Sequence, residues 1–279
     1  MDDSVRAQEG STGISGSGAP VLVFDSGLGG LTVLREIARA RPDADLVYVA
    51  DDAAFPYGKL DDRALIDRVV AVMDRYIAEL RPSLVVIACN TASTLALPVL
   101  RARFPIPFVG TVPAIKPACA QSKTKRISVL ATPGTVRRDY TRDLIEKFAG
   151  ECRVTLVGGE RLASLAEAAL RGEAVDEEEI RREIAPCFVD DAGRTDTIVL
   201  ACTHYPLILD RLERLAPWPV TWIDPAPAIA RRASQLLGAE QPRQGRHPQA
   251  FFTGGSTPSA ALTKALASFG VEVSDVSPA

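Results

Sequence analysis

The chain has 279 residues, 47% hydrophobic and 24% charged, which suits a soluble globular protein with one large or two modest domains. Its net charge of −3 supplies no global positive field for a polyanion, so nucleic acid is not an expected partner. No stretch reaches the apolar length of a membrane span, so no membrane partner is expected either.

Residues 1–19 are small, polar and Gly/Ser-rich, without the basic and apolar regions of a signal peptide. They are expected to form a disordered leader on a cytoplasmic protein. The five cysteines, Cys89, Cys119, Cys152, Cys187 and Cys202, are odd in number and scattered, with no CxxC pair. That usage fits free thiols in a reducing compartment rather than a disulfide framework. With only His204 and His247 as histidines, a closed structural zinc site has little to build on, and no metal is expected.

From Val21 onward short β-branched runs alternate with amphipathic segments, the pattern of an α/β fold with mainly parallel sheets. A buried strand is predicted at Val21–Phe24, followed by the glycine turn Asp25-Ser26-Gly27-Leu28-Gly29-Gly30 and a helix over Leu31–Arg41. A strand at Leu46–Ala50, a helix over Asp61–Leu80 and a strand at Leu84–Ala88 complete the first series, which ends at Cys89. The second series opens with a strand at Ile127–Leu130 and a turn at Ala131-Thr132-Pro133-Gly134-Thr135. A helix over Arg138–Phe148, a strand at Val154–Val157, helical segments over Leu162–Leu170 and Asp176–Asp190, and a strand at Thr197–Ala201 follow, ending at Cys202. Helices near Ala226–Leu237 and Pro258–Phe269 and strands near Ala250–Phe252 and Val271–Val273 are expected to return to the first half.

The two series share a rhythm. Val85-Val86-Ile87-Ala88-Cys89-Asn90-Thr91 lies over Ile198-Val199-Leu200-Ala201-Cys202-Thr203-His204 at an offset of 113 residues, and the opening strands align at about 106. Two pseudo-symmetric open α/β domains are therefore expected: a discontinuous first lobe of 20–111 plus 223–279 and a second of 112–222. Ligands of open parallel sheets sit beyond the carboxyl ends of the strands, where both cysteines fall. Each lobe would then offer one thiol to a shared cleft.

A lone free cysteine is most often a small buried hydrophobe, and Cys119, Cys152 and Cys187 are read that way. Cys89 and Cys202 differ by symmetry and by polar neighbours: Asn90, Thr91 and Ser93 after one, Thr203 and His204 after the other. His204 lies two residues beyond Cys202 and can favour its thiolate as an imidazolium, or simply cap the helix after Pro206. Asp25 can polarise the Cys89 thiol, receive a substrate ammonium, or cap the following helix, and Ser26 can share those roles. The glycine run lacks GxGxxG spacing and a P-loop lysine, so it reads as a tight turn offering amides to a carboxylate rather than a nucleotide cradle. Pro56-Tyr57-Gly58 is a turn beyond a strand end. Glu167, on a helix, is by itself an ordinary solvated glutamate, and Arg137-Arg138 reads as solvated charge.

Taken together, these segments resemble the glutamate racemases of the aspartate/glutamate racemase family. Phe24-Asp25-Ser26-Gly27-Leu28-Gly29-Gly30-Leu31, Phe55-Pro56-Tyr57-Gly58, Ala88-Cys89-Asn90-Thr91-Ala92-Ser93 and Val112-Pro113-Ala114-Ile115-Lys116 carry the first part. Ala131-Thr132-Pro133-Gly134-Thr135 and Cys202-Thr203-His204-Tyr205-Pro206-Leu207 carry the rest. The resemblance implies a cofactor-independent isomerase with its active site in the interdomain cleft. Cys89 would abstract the α-proton of D-glutamate and Cys202 that of L-glutamate, assisted by Asp25 and His204. Ser26, Tyr57, Gly58, Asn90, Thr91, Thr132 and Thr203 would hold substrate together with Asp25 and His204. Glu167 aligns with a supporting acid of the family, although its flanks, Gly158-Gly159-Glu160-Arg161 before and Leu165-Ala166 beside it, depart from the usual pattern. The expected partners are glutamate and a second copy of the chain in a homodimer, and the expected role is D-glutamate supply for peptidoglycan. Three alternatives remain open: an aspartate or other amino-acid racemase of the family, a cysteine hydrolase, and a two-lobed binding module.

Overall fold

The structure, a computed structural model, describes residues 18–191, 193–242, 245–255 and 258–273, so most of the expected leader, residues 1–17, lies outside it. Among the described residues ten parallel strands form two sheets. In the first, β1 (Val21–Asp25), β2 (Leu46–Ala50), β3 (Leu84–Ile87) and β4 (Phe108–Gly110) run in the order β2-β1-β3-β4. In the second, β5 (Arg126–Ala131), β6 (Arg153–Gly158), β7 (Thr197–Ala201) and β8 (Thr221–Ile223) run β6-β5-β7-β8. The two orders are the same, so the repeat read from the sequence is a repeat of topology. After β8 the chain returns: β9 (Gln249–Phe252) pairs with β2, and β10 (Glu272–Val273) with β9.

The central strands are buried on both faces, which is why they read as unbroken apolar runs. One face of the first sheet packs Val21, Val23 and Val86 against helices Leu31–Ala40 and Ala226–Leu237; the other packs Leu22, Phe24 and Val85 against helices Asp62–Leu80 and Asn90–Arg103. The second sheet has two such cores, one around Leu200 and Ile180 and one around Val129 and Ile115. Among the described residues no helix is long and apolar enough to cross a membrane.

Local chemistry sets the boundaries. Asp61 caps helix Asp62–Leu80 by accepting from the Ala64 amide at 2.8 Å. Three expectations change. The helix expected over Asp176–Asp190 stops at Ile184, because Pro186 lacks an amide to continue it and a 3-10 turn, Ala185–Cys187, follows. The turn expected at Ala131–Thr135 is a short helix, Pro133–Arg137, with proline in its first turn and Thr132 as its cap. Strand β3 ends at Ile87 rather than Ala88, and Cys89 instead caps helix Asn90–Arg103, its sulfur accepting from the Ala92 amide at 3.5 Å.

Candidate active site

Both sulfurs lie at the carboxyl ends of central strands and line one cavity between the sheets, with Ser26, Tyr57, Gly58, Asn90, Thr91, Thr132, Thr203 and His204. The cavity is closed down to about 20 Å³, far below the roughly 300 Å³ at which small-molecule sites begin. An amino acid can therefore enter only if the lobes part. Cys89 and Cys202 are buried, at 5% and 6% exposure.

Each thiol has its own polar partner. The Cys89 thiol reaches Ser26 Oγ at 3.7 Å. Cys202 Sγ lies 3.9 Å from His204 Nδ1, whose other ring nitrogen, Nε2, is 3.0 Å from Glu167 Oε2. Arg171 donates to the remaining Glu167 oxygen at 2.9 Å. Glu167 is thus not on a solvated face: it is buried and anchors a Cys202–His204–Glu167–Arg171 chain. His204 precedes a 3-10 turn, Tyr205–Ile208, but its side chain makes no capping bond there.

Asp25 does not cap the following helix, which begins after Gly30 with no side-chain cap. Its carboxylate accepts from the Gly27 amide at 3.0 Å and from Thr203 Oγ1 of the opposite lobe at 2.9 Å. The glycine run permits a close approach of the two lobes. A side chain at Gly29 would place its first carbon 2.5 Å from both His204 Nδ1 and Thr203 Oγ1, and one at Gly27 would meet Glu167 Oε2 at 2.7 Å. Only glycine lets the first lobe come this close to the second.

Across the cavity, Thr91 Oγ1 meets Thr132 Oγ1 at 3.0 Å and Thr135 Oγ1 at 3.3 Å. Tyr57 lines the cavity, but its hydroxyl is committed to Asp51, which Arg68 also bonds at 2.8 Å and Thr253, just past β9, at 2.5 Å. Asn90 is 2% exposed, and neither its amide nitrogen nor its oxygen finds a partner among the described residues. Leaving such a group unpaired costs about 1–3 kcal/mol, which a bound polar ligand would offset.

The Asp/Glu/hydantoin racemase family profile matches residues 25–233. Glutamate racemases of Brucella canis and Sinorhizobium medicae are each 54% identical to this chain, over 90% of it and 92% of the first, and over 92% of it and 96% of the second. The chain belongs to the Asp/Glu/hydantoin racemase family. Escherichia coli glutamate racemase, solved with L-glutamate and the activator UDP-MurNAc-Ala, superposes with a TM-score of 0.83 at 39% identity, over 91% of this chain and 96% of that one. The Bacillus anthracis isoform RacE1 superposes at 0.79 and 26% identity, over 94% and 98%. The chain is a racemase with the two-domain fold of these relatives.

The electrostatics of this racemase are uneven across the cleft. Burial pushes the Cys89 thiol up to about 12, and the nearby Asp25 charge adds to the rise. Burial works against a charged His204, but its bonds to Cys202 and Glu167 outweigh that and hold it well above the usual histidine value. A protonated imidazole therefore faces one sulfur and a carboxyl group lies near the other.

Asp25 itself is raised from 3.8 to about 6 by burial, against opposition from His204 and the Gly27 and Thr203 bonds. Between those two values the folded chain binds a proton that the unfolded chain has released. The protonated acid therefore favours folding at low pH, and that contribution is lost as pH rises through about 6, a difference of roughly 3 kcal/mol. Relative to wild type, Asp25→Asn is expected to gain thermal stability as pH climbs from 4 to 7, because the amide never carries the buried charge. A stability difference that stays flat over that range would contradict the assignment.

Sequence reasoning missed several site residues. Phe55, whose ring centroid lies 5.1 Å from that of His204, opens the Phe55-Pro56-Tyr57-Gly58 motif and was legible there. Ala163 lines the cavity with no signal to mark it. Arg138 is 8% exposed and bonded across the lobes rather than solvated, because its short helix ends against the first lobe. Arg137 beside it is exposed, as expected.

Proposed function

We propose that this racemase interconverts L- and D-glutamate without a cofactor, moving the α-proton between the sulfurs of Cys89 and Cys202. The observation that carries the reading is that two thiols, from equivalent positions of the two lobes, line one narrow cavity that also holds an Asn90 amide without a partner among the described residues. Inverting a stereocentre requires a base on one face of Cα and an acid on the other, and a single group cannot serve both faces of a fixed substrate. A thiolate removes the proton while the opposite thiol delivers one to the other face, so each turnover exchanges the roles of the two sulfurs.

Supporting groups divide accordingly. The imidazolium of His204, fixed by Glu167, is placed to hold negative charge on Cys202, while Cys89 is kept protonated by burial and by Asp25. That resting arrangement suits abstraction by Cys202, which the resemblance assigns to L-glutamate. The substrate ammonium, on reaching Asp25, would neutralise the charge that opposes a Cys89 thiolate and so make the reverse direction accessible. Ser26, Asn90, Thr91, Thr132 and Thr203 and the backbone at Tyr57 and Gly58 would hold the two carboxylates. Developing charge at Cα would then be met by fixed dipoles in a cavity without bulk water.

The working unit is taken as a cytoplasmic homodimer supplying D-glutamate for peptidoglycan. Each chain would form a first lobe of 20–111 plus 223–279 and a second of 112–222, with Ile223 itself still pairing with Val199 in the second sheet. The test is incubation with L-glutamate in D2O without added cofactor, with L-aspartate in parallel. Expected is loss of optical rotation with one α-deuterium per inverted glutamate, and slower or no reaction of aspartate. Binding without exchange would favour the binding module, a covalent thioester with ester substrates the hydrolase, and faster turnover of aspartate the sister specificity.

A further inference from the structure

Besides the Asp25–Thr203 and Thr91–Thr132 bonds, a buried cation joins the second lobe to the first. Arg138 lies between helices Pro133–Arg137 and Asp139–Phe148 of the second half, yet its partners belong to the first half. Its Nη1 donates to the Thr91 carbonyl and to Thr94 Oγ1, both at 2.8 Å, and its Nη2 reaches Asp62 at 3.3 Å. Thr91 and Thr94 lie on helix Asn90–Arg103, directly after Cys89, and Asp62 opens helix Asp62–Leu80. Arg138 is 8% exposed, and its Nε has no partner among the described residues. A cation gives up water and leaves a donor unpaired only where the remaining bonds repay it. Those bonds exist only while the lobes are together.

We propose that Arg138 is the latch of cleft closure, a positioning residue that holds Thr91 and the Cys89 helix against the second lobe while the reaction proceeds. The proposal rests on the racemase reading for its purpose, since an amino acid can enter the 20 Å³ cavity only through an opened form. Arg138 bonds the main-chain carbonyl of Thr91, whose hydroxyl already spans to Thr132 and Thr135, so the latch and the cavity wall are one piece. Opening the cleft breaks three bonds to a charged donor at once.

The test reads closure directly through alkylation of individual cysteines, mapped by peptide mass spectrometry, in wild type, Arg138→Met, Thr94→Val and the double variant. Cys89 and Cys202 report the cleft; Cys187, 0% exposed in the core of the second half, reports unfolding. Expected is alkylation of Cys89 and Cys202 faster by about tenfold or more in Arg138→Met, and by a smaller factor in Thr94→Val, with Cys187 unchanged. The double variant should match Arg138→Met alone, because both substitutions remove the same bond. KM for glutamate should change more than kcat. Wild-type rates at Cys89 and Cys202 in Arg138→Met would overturn the proposal, as would an equal rise at Cys187, which would make Arg138 a general support of the fold. Failure of wild type to exchange the α-proton would refute the racemase reading and leave the alkylation result standing by itself.

Discussion

Cys89→Ala and Cys202→Ala are each expected to lower kcat for glutamate racemisation by about a thousandfold or more, in both directions. The symmetry of the loss is required. Enantiomers have equal free energy in water, so kcat/KM must be the same from either side in any variant, and removing the base of one direction removes the acid of the other. What should differ is partial chemistry. With Cys202 intact, Cys89→Ala should still exchange the α-proton of L-glutamate slowly with solvent without inverting it, and Cys202→Ala should do so only for D-glutamate. Circular dichroism of the product and proton NMR of the α-position separate the two readouts. Normal racemisation by either variant would sink the two-base reading, and exchange of both enantiomers by one variant would show that a single group reaches both faces.

Glu167→Gln is expected to cost roughly a hundredfold in kcat/KM, the scale of a lost acid–base contribution, although Glu167 lies behind His204 rather than on the cavity wall. The amide keeps the shape but not the charge that holds His204 protonated in a buried place. Burial opposes ionisation of Glu167, yet its bonds to His204 and Arg171 outweigh that and hold its carboxyl below the usual glutamate range. The sign of the stability effect follows for each partner. A depressed Glu167 contributes stability above its unfolded value that is lost as pH falls through the folded one. A raised His204 contributes stability below its unfolded value, near 6.5, that is lost as pH rises through the folded one. Both contributions are full only between the ordinary glutamate and histidine values, about 4.5 and 6.5, and the His204 one declines above that. The folded-state imidazolium, and with it activity, should persist through neutrality. In Glu167→Gln the imidazole should lose its proton earlier, drawing the alkaline fall in activity towards neutral pH. An unshifted alkaline limb with normal rate would remove Glu167 from the machinery.

The central strands were legible because they are buried on both faces and leave only β-branched runs in the sequence, as in Val21–Phe24 and Thr197–Ala201. The edges were not. Strands β4 and β8 have three residues each, too few for a periodic signal, and helix Asn90–Arg103 hides behind an internal Pro98 and a buried polar first turn that blunts its amphipathic pattern. Cys89, Cys202 and their polar neighbours were visible because the repeat places them in matching frames. Glu167 and Arg138 were not readable as buried groups, since one lies on a helix and the other at a helix boundary, where a lone charge is ordinarily solvated. Their burial depends on which element packs opposite, and that is a property of lobe closure rather than of any local window. The glycines show the same limit: what forbids a side chain at Gly29 is His204, 175 positions away in the chain.

The chain passes from the first sheet to the second after Gly110 and back again after Ile223, so two covalent threads join the halves side by side. A body tied to another at one point can swivel freely, whereas one tied at two points keeps mainly the rotation about the line through both. The halves are thus mounted on an axle, and twisting or sliding that would let the sulfurs miss each other is suppressed. Each opening stroke would then trace the same arc and each return restore the same alignment, set by the path of the backbone before any side chain meets a ligand.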